Sequence, residues 1–312
     1  MTAQQRREGV GRLKESGIPT ERSCALVGME RSSFYYKGRP REDEELVGKL
    51  KAIAWKHKRY GYRRAWALLQ RNGERVNVKR VHRLWRETGL GLPRRRPRKR
   101  VKNPVQMPLK ALYPNHVWTY DFMQDATEDG RKLKILTVVD EHTRESVAIG
   151  VERRMPSTVA LEVLEKAFSE RGAPAYLRSD NGPEFIAQAV KEWLEKRGTK
   201  TYYIAPASPW QNPYGESFND KVRTECLNLE TFYSLREAKI LIGAWRKEYN
   251  TERPHSSLGY LTPEEFRAYR DGDEKVLSFS PAPGLASLAA GQGQEKRKNY
   301  GGVSVAENQG IV

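Results

Sequence analysis

Cysteine is scarce in this chain of 312 residues, in which Cys24 and Cys226 are the only two. Two cysteines cannot build a disulfide framework or a cysteine zinc site, and each is predicted to be a small buried side chain rather than a reactive thiol. No stretch approaches the roughly 20 apolar residues of a membrane helix. The first residues also lack the apolar core of a signal peptide. These absences predict a soluble, cytoplasmic protein.

Positive charge, by contrast, is abundant and unevenly distributed. Lysine and arginine number 56 against 39 aspartates and glutamates, a net charge of +17. Residues 1–110 contain 30 basic and 10 acidic side chains, whereas the remaining 202 residues contain 26 and 29. Solvated helix faces would carry mixed signs. The first third of the chain is therefore predicted to bind a polyanion such as DNA.

The first of three noteworthy acidic residues lies beside a predicted strand. Asp121 follows residues 116–120, an aromatic and β-branched run that is typical of a buried strand. Asp125 is the alternative, but it leads into residues 128–130, which are typical of a hairpin turn. The pattern favours Asp121 as the residue whose carboxylate is held on a rigid element.

The other two acidic residues have comparable surroundings. Asp180 follows residues 175–179, a second short predicted strand, and precedes loop-forming residues. Glu216 comes 36 residues later, in the first turn of a helix predicted to continue through Leu227. Loop and helix could bring Glu216 back to the two strands, so the three carboxylates could meet at one site.

Three such carboxylates indicate metal-dependent chemistry on nucleic acid. Two Mg²⁺ or Mn²⁺ ions, roughly 3.5 to 4 Å apart, can neutralise a phosphodiester, activate the attacking oxygen and stabilise the leaving oxygen. No side-chain nucleophile is then needed. Asn219 and Arg223 lie on nearly the same helix face as Glu216 and are predicted to touch substrate phosphate. Trp210 and Gln211, in the preceding loop, either insert beside a DNA end or anchor the loop.

Four motifs follow one another along the chain: residues 118–121, 179–185, 214–219 and 249–263. Over about residues 20–268 they resemble bacterial insertion-sequence transposases, specifically the catalytic protein of the second reading frame, with a retroviral-integrase-type core. Tyr120 is a departure, since many members have threonine there. The resemblance implies a ribonuclease-H-like α/β fold, a mixed sheet flanked by helices, in which Asp121, Asp180 and Glu216 are the catalytic metal ligands.

The resemblance also implies an activity and partners. The protein would nick DNA at the terminal inverted repeats of its element and join the 3′-OH to target DNA. It would act through a joined-end circle, as a homo-oligomer on DNA, in a bacterial cytoplasm at the nucleoid. A protein from an upstream reading frame would assist. A nuclease of the same fold without joining activity, or a DNA-binding regulator derived from a transposase, are the alternatives.

Two helical modules are predicted to precede the catalytic domain, at residues 1–40 and 41–92. A helix, a glycine turn and a second helix in the first module are typical of a helix-turn-helix, although a hairpin that packs against another protomer has the same pattern. A Pro-punctuated basic linker, residues 93–113, follows and should bind DNA in a salt-sensitive manner. The predicted DNA contacts are Arg31, Ser32 and Ser33 in the first module, Lys79, Arg80, Arg83 and Arg86 in the second, and Arg94, Arg95, Arg96, Arg98, Lys99 and Arg100 in the linker.

The catalytic domain is predicted to span residues 114–277. Strands at 133–139 and 146–151 should form an antiparallel meander with the Asp121 strand, around a turn that contains Asp140. Further helices are predicted at 157–171, after a capping box at Ser234, and after Thr262. The last motif, with Arg253, His255 and Tyr260, is predicted to hold these C-terminal helices on the core. Residues 278–312 have the composition of a disordered tail.

Overall fold

The computed structural model describes residues 1–36, 43–93, 109–179, 188–204 and 212–272. The chain divides into two compact units, Met1–Gly48 and Lys49–Val312. In the described residues, no helix is long and apolar enough to cross a membrane. The domain boundaries predicted above are finer than this division and stay predictions.

The first unit is helical. Helix α1 (Ala3–Glu15) begins at a capping box formed by Thr2 and Gln5, and α2 (Thr20–Val27) follows. Gly28 ends α2 with a φ of 66°, a left-handed conformation that glycine adopts without strain. Helix α3 (Arg31–Tyr35) comes next. Helix, glycine turn and helix therefore occur where the sequence predicts them.

The second unit begins with three helices. Helix α4 (Glu44–Lys56) crosses the boundary between the units, and α5 (Tyr62–Arg71) and α6 (Val78–Glu87) follow. Asn77 caps α6 by accepting a hydrogen bond from the Lys79 amide. We call residues 49–93 the α5–α6 segment. Its buried apolar residues include Leu69 and Val81.

A five-stranded sheet forms the centre of the second unit, with the strand order β3-β2-β1-β4-β5. Strands β1 (Val117–Ala126), β2 (Lys132–Asp140) and β3 (Ser146–Glu152) form the predicted antiparallel meander. Strands β4 (Tyr176–Ser179) and β5 (Lys200–Tyr203) continue the sheet in parallel with β1. Strand β1 is longer than predicted, so Asp121 lies in its middle rather than at its end.

Helices cover both faces of the sheet. One face packs against α7 (Ser157–Arg171) and α8 (Gln188–Lys196) through an apolar cluster that includes Trp118, Leu136 and Phe168. The other face packs against α9 (Pro213–Val222) and α10 (Leu235–Thr251) through Met123, Ile135 and Phe218. We call these the α7 face and the α9 face. Helix α11 (Pro263–Arg270) completes the fold after a short 3₁₀ turn at Ser256–Leu258.

Two helix details differ from the sequence-based expectation. The Glu216 helix changes to a π-helical turn at Arg223–Leu227, where the Asn228 amide donates to the carbonyl oxygen of Arg223, 2.9 Å away. Ser234 caps α10, but Glu237 accepts from the Tyr233 amide rather than from that of Ser234, so the predicted capping box is only half present. The one at Thr262 is complete.

Candidate active site

Asp121 lies on the α9 face of the central strand. Residues two apart in a strand share a face, so Thr119 and Met123 flank it; both are buried, whereas Asp121 is half-buried. Strand β1 is paired on both sides, with β2 and with β4. The Asp121 backbone is therefore fixed by hydrogen bonds, as the sequence pattern predicts for a rigid carboxylate.

An amide from α9 holds the Asp121 carboxylate. Asn219 Nδ2 donates to Asp121 Oδ2 over 2.8 Å, and the Phe122 amide lies 2.7 Å from Asp121 Oδ1. The Thr137 hydroxyl lies 2.9 Å from Asn219 Oδ1 and 3.2 Å from the carbonyl oxygen of Asp121. Thr137, which pairs with Asp121 in the sheet, thus orients the Asn219 amide with its nitrogen toward the carboxylate.

Glu216 is carried by the same helix as Asn219. It is exposed and lies three residues before Asn219, a spacing that puts two side chains on one face of a helix. Because Asn219 contacts Asp121, the Glu216 face of α9 is turned toward the β1 carboxylate. Asp121 and Glu216, 95 residues apart in the sequence, therefore lie on two elements that a hydrogen bond joins.

The start of α9 is tied to β1 by a buried hydrogen bond. Asn212 caps the helix by accepting from the Gly215 amide, and Pro213 occupies its first position. Thr119, two residues before Asp121, donates to Asn212 Oδ1 over 2.6 Å. A Cβ atom on Gly215 would lie 2.5 Å from Asn212 Nδ2, so any other residue here would displace the cap. The cap sets where the Glu216 turn begins relative to Asp121.

Sequence reasoning missed Thr119, Asn212 and Thr137. Asn212 had a recognisable signal, because asparagine directly before proline is typical of a capped helix start. The roles of Thr119 and Thr137 depend on partners 93 and 82 residues away. No local pattern announces such contacts.

Asp180 lies outside the described residues, as do Trp210 and Gln211. The strand before Asp180 is described, and a fully buried ion pair fixes it: Arg178 Nε lies 3.1 Å from Glu141 Oε1. Burial raises the pKa of Glu141 to about 7, and the guanidinium of Arg178 opposes that rise. Arg178 also donates to the carbonyl oxygen of Leu109 and lies over the Tyr202 ring.

Other acidic residues near the sheet have different roles. Asp140 is buried and accepts from the amides of Asn115, His142 and Thr143, which is the turn role predicted for it; burial raises its pKa. Asp125 lies in β1 and pairs with Leu133 of β2. It is on the same face of the sheet as Asp121, but about 13 Å further along the strand. In the described ranges, no three His, Cys, Asp or Glu side chains are grouped as a metal site.

The residues predicted to contact DNA lie on several different elements. Arg31, Ser32 and Ser33 are exposed at the start of α3, and Lys79, Arg80 and Arg86 are exposed on α6, with Arg83 half-buried beside Glu87. Arg223 is exposed at the end of α9 and approaches the Gln124 carbonyl oxygen at 3.4 Å. The linker residues, Arg94, Arg95, Arg96, Arg98, Lys99 and Arg100, lie outside the described residues.

The C-terminal motif packs against the π-helical turn. Arg253 is 2% exposed and donates to both carboxylate oxygens of Glu225 at 2.6 Å. His255 is also buried, with its ring edge-on to Tyr249. Burial and the guanidinium of Arg253 hold the pKa of His255 well below its usual value. These contacts fit the structural role predicted for this motif. Both cysteines are buried, and burial raises the pKa of Cys226 to about 12.

Family models match most of the described chain. Residues 40–99 match an HTH-like domain, and residues 112–209 and 197–263 match two models of an integrase core domain. The chain is 43% identical over 252 residues to the insertion element IS407 uncharacterized 31.7 kDa protein of Burkholderia multivorans, an alignment that covers 80% of this chain and 91% of that protein.

Two further matches come from a transposase and a solved structure. The transposase InsD for insertion element IS2A/D/F/H/I/K of Escherichia coli is 27% identical over 255 residues, which cover 75% of this chain and 82% of that protein. The HTLV-2 integrase catalytic core domain in complex with magnesium is 19% identical, with a TM-score of 0.40, over 50% of this chain and 98% of that one.

Proposed function

The chain belongs to the insertion-sequence transposases that have an integrase core, and we propose that it nicks its element's ends and joins each freed 3′-OH to a second phosphodiester. Its mixed sheet flanked by helices is the ribonuclease-H-like fold that the sequence predicts. The observation that carries the proposal is the bond from Asn219 to Asp121, because it holds the Glu216 helix against the Asp121 strand.

Asp121, Asp180 and Glu216 form the proposed catalytic triad. Sheet register supports Asp180 as the third member. Thr119 pairs with Arg178 in the parallel ladder of β1 and β4. Asp121 and Asp180 each come two residues after this pair in the sequence. Ser179 is the last residue of β4, so Asp180 follows directly from that strand.

The integrase core implies the use of a divalent metal ion. The residues fit one, because Asp121 and Glu216 offer hard carboxylate oxygens and the Asp121 carboxylate is braced by an amide, as metal-ligating carboxylates usually are. With Asp180 they would hold two Mg²⁺ or Mn²⁺ ions. Such ions, when bound, neutralise the phosphodiester and lower the pKa of an attacking water.

The protein's own residues position the reaction. Asn219 fixes the rotamer of Asp121, and Thr137 fixes the orientation of Asn219. Thr119 and Asn212 set the start of the Glu216 helix. Arg223 is proposed to hold a substrate phosphate beside the carboxylates. The nucleophiles are water in the nicking step and the DNA 3′-OH in the joining step, so no side chain forms a covalent bond to DNA.

The helical modules are proposed to bind the terminal inverted repeats and the target DNA. The HTH-like match and the exposed cations of α6 support this role. Phosphate contacts would supply most of the affinity, which should then fall with salt. We further propose that the protein works in the bacterial cytoplasm as a homo-oligomer on DNA, with a protein from an upstream reading frame.

A gel assay of joined DNA strands tests the proposal. Purified full-length protein, Mg²⁺ and labelled DNA from the flanks of its gene should give nicked and joined strands. Asp180→Asn should remove both products, whereas Asp271→Asn, at the exposed end of α11, should keep them. Nicked strands that are never joined would favour the nuclease alternative. Binding without any metal-dependent cleavage, even after addition of the upstream-frame protein, would favour the regulator.

A further inference from the structure

A basic cleft of about 430 Å³ lies between the α5–α6 segment and α9. Six charged side chains line it, and the cations outnumber the acids by four to two. The cations are Arg59, Arg64, Lys221 and Arg253, and the acids are Asp220 and Glu225. We call it the Lys221 cleft. It is separate from the carboxylates of Asp121 and Glu216, neither of which lines it.

One acid in the cleft serves two arginines. Glu225 accepts from Arg253 at both of its oxygens, at 2.6 Å, and its Oε1 also accepts from Arg64 Nη1 at 3.4 Å. Burial and the neighbouring guanidinium of Arg253 lower the pKa of Arg64. Arg59 donates to a neutral partner, the carbonyl oxygen of Thr224, at 3.2 Å. The positive charge of the arginines in the cleft therefore exceeds the negative charge of the acids beside them.

Lys221 adds a half-buried ammonium to this group. Its Nζ donates to the carbonyl oxygen and to the hydroxyl of Ser217, at 2.6 and 2.7 Å, and both of these acceptors are neutral. Partial burial and, after it, the guanidinium of Arg253 together lower the pKa of Lys221 to about 8. An ammonium in this setting gains more from an incoming anion than one exposed to water does, because less solvent screens the interaction.

The position of the cleft connects two parts of the proposed DNA path. Lys221 lies five residues after Glu216 on α9, about 8 Å along the helix axis. The cleft is also lined by Pro93, and the basic sequence 94–100 follows this residue in the chain. Five residues at about 100° each also put Lys221 about 140° around α9 from Glu216. A polyanion that extends from the carboxylates across α9 would therefore reach the cations that line the cleft.

We infer that the Lys221 cleft binds the phosphodiester backbone of the DNA whose end is in the active site, through Lys221, Arg59 and Arg64. This inference rests on the proposed function for the position of the DNA end. The contacts are to phosphates, so they carry no base sequence. They would couple the α5–α6 segment to the Glu216 helix each time DNA is bound.

Salt-dependent DNA binding tests the inference. Full-length protein and a labelled flank duplex are equilibrated in EDTA over about 50 to 200 mM salt. The slope of log K against log salt is negative, and each lost contact to a duplex phosphate should make it less steep by about 0.9. We expect this change for Lys221→Gln and for Arg59→Gln, equally on flank DNA and on a scrambled duplex. The matched control is Lys247→Gln, at an exposed lysine of α10 outside the cleft, and its slope should equal that of the wild type.

Two further measurements keep the test decisive. Lys221→Arg, which retains the positive charge, should restore the wild-type slope. If the loss in Lys221→Gln came only from the missing Ser217 contact, Lys221→Arg would not restore it. Stabilisation by inorganic phosphate in thermal unfolding that Lys221→Gln removes, with unchanged DNA slopes, would identify a free-anion site and overturn the inference. Wild-type slopes in Lys221→Gln and Arg59→Gln would also overturn it. Since EDTA prevents metal-dependent chemistry, failure of the joining assay does not affect these results.

Discussion

The two faces of the sheet use neighbouring residues of the same strands in different ways. On the α7 face, Trp118 and Leu136 are fully buried in an apolar cluster. On the α9 face, the polar residues Thr119, Asp121 and Thr137 interrupt the apolar packing. An unpaired buried polar group costs about 1 to 3 kcal/mol, and on this face α9 supplies amide partners. The α7 face therefore provides stability, while the α9 face gives up apolar packing to hold a carboxylate in a fixed orientation.

The largest expected effect is on catalysis, at Asp121. Asp121→Asn should lower nicking and joining by at least about a thousandfold, or roughly 4 kcal/mol of barrier, because a metal ligand loses its charge. The matched control is Asp125→Asn, on the same strand and face, which should retain joining. Strand-transfer rates on the flank duplex measure both. Equal losses in the two variants would remove the special role of Asp121.

The α7 face should respond in stability instead. Leu136→Ala should lower the free energy of unfolding by about 3 kcal/mol, through lost burial and a cavity. Urea denaturation measures this change, and Ile240→Ala, at a 60% exposed residue of α10, should stay within about 0.5 kcal/mol of the wild type. Joining by the folded Leu136→Ala protein should be unchanged. If joining fell by more than the unfolded fraction explains, the α7 face would contribute to catalysis as well as to stability.

A smaller catalytic effect is expected from the amide that orients the carboxylate. Asn219→Ala should lower joining by about 10- to 100-fold and raise the Mg²⁺ concentration needed for half-maximal rate, as loss of a residue that braces a metal ligand usually does. Asn228→Ala, at an exposed asparagine after the π-helical turn, is the control. An unchanged Mg²⁺ dependence would mean that Asn219 acts on the substrate rather than through Asp121.

The smallest expected effect is on stability, which alanine should lower at one glycine and raise at another. Gly215→Ala should destabilise the protein by about 1 kcal/mol, because its Cβ would displace the Asn212 cap. Gly243→Ala, in the middle of α10 with no atom within 4 Å of the new Cβ, should stabilise it by about 0.5 to 1 kcal/mol. Thermal unfolding of both variants measures this difference. Destabilisation by both would show that the cap is not the cause at Gly215.

Local patterns predicted the elements better than their contacts. The helix at 157–171 and the β1-β2-β3 meander follow from periodicity and turn residues within a short stretch of chain. The same patterns put Asp121 on a strand and Glu216 in a first helical turn. The length of β1 was underestimated, because pairing with β2 extends it through Ala126. Tertiary pairing, which no local pattern reports, decided that boundary.

The interactions that make these elements into a site are long-range. Asn219 was predicted to contact substrate from its spacing to Glu216, but spacing cannot reveal that its amide faces a carboxylate 98 residues earlier. The same limit applies to the pairing of Glu225 with Arg253, which depends on the π-helical turn. Helical periodicity assumes a constant turn, so the side chain of a residue inside a π turn is predicted on the wrong face.

The π-helical turn at Arg223–Leu227 continues directly from α9 and sets the rotation of Glu225 around the helix axis relative to Asn219. An α-helix advances about 100° per residue, and a π turn accommodates one extra residue without breaking the helix. Deleting one residue there would leave Asn219 beside Asp121 but would rotate Glu225 by about 100° away from Arg253. The length of this turn therefore adjusts the attachment of the α5–α6 segment independently of the carboxylate geometry, so evolution could retune one without moving the other.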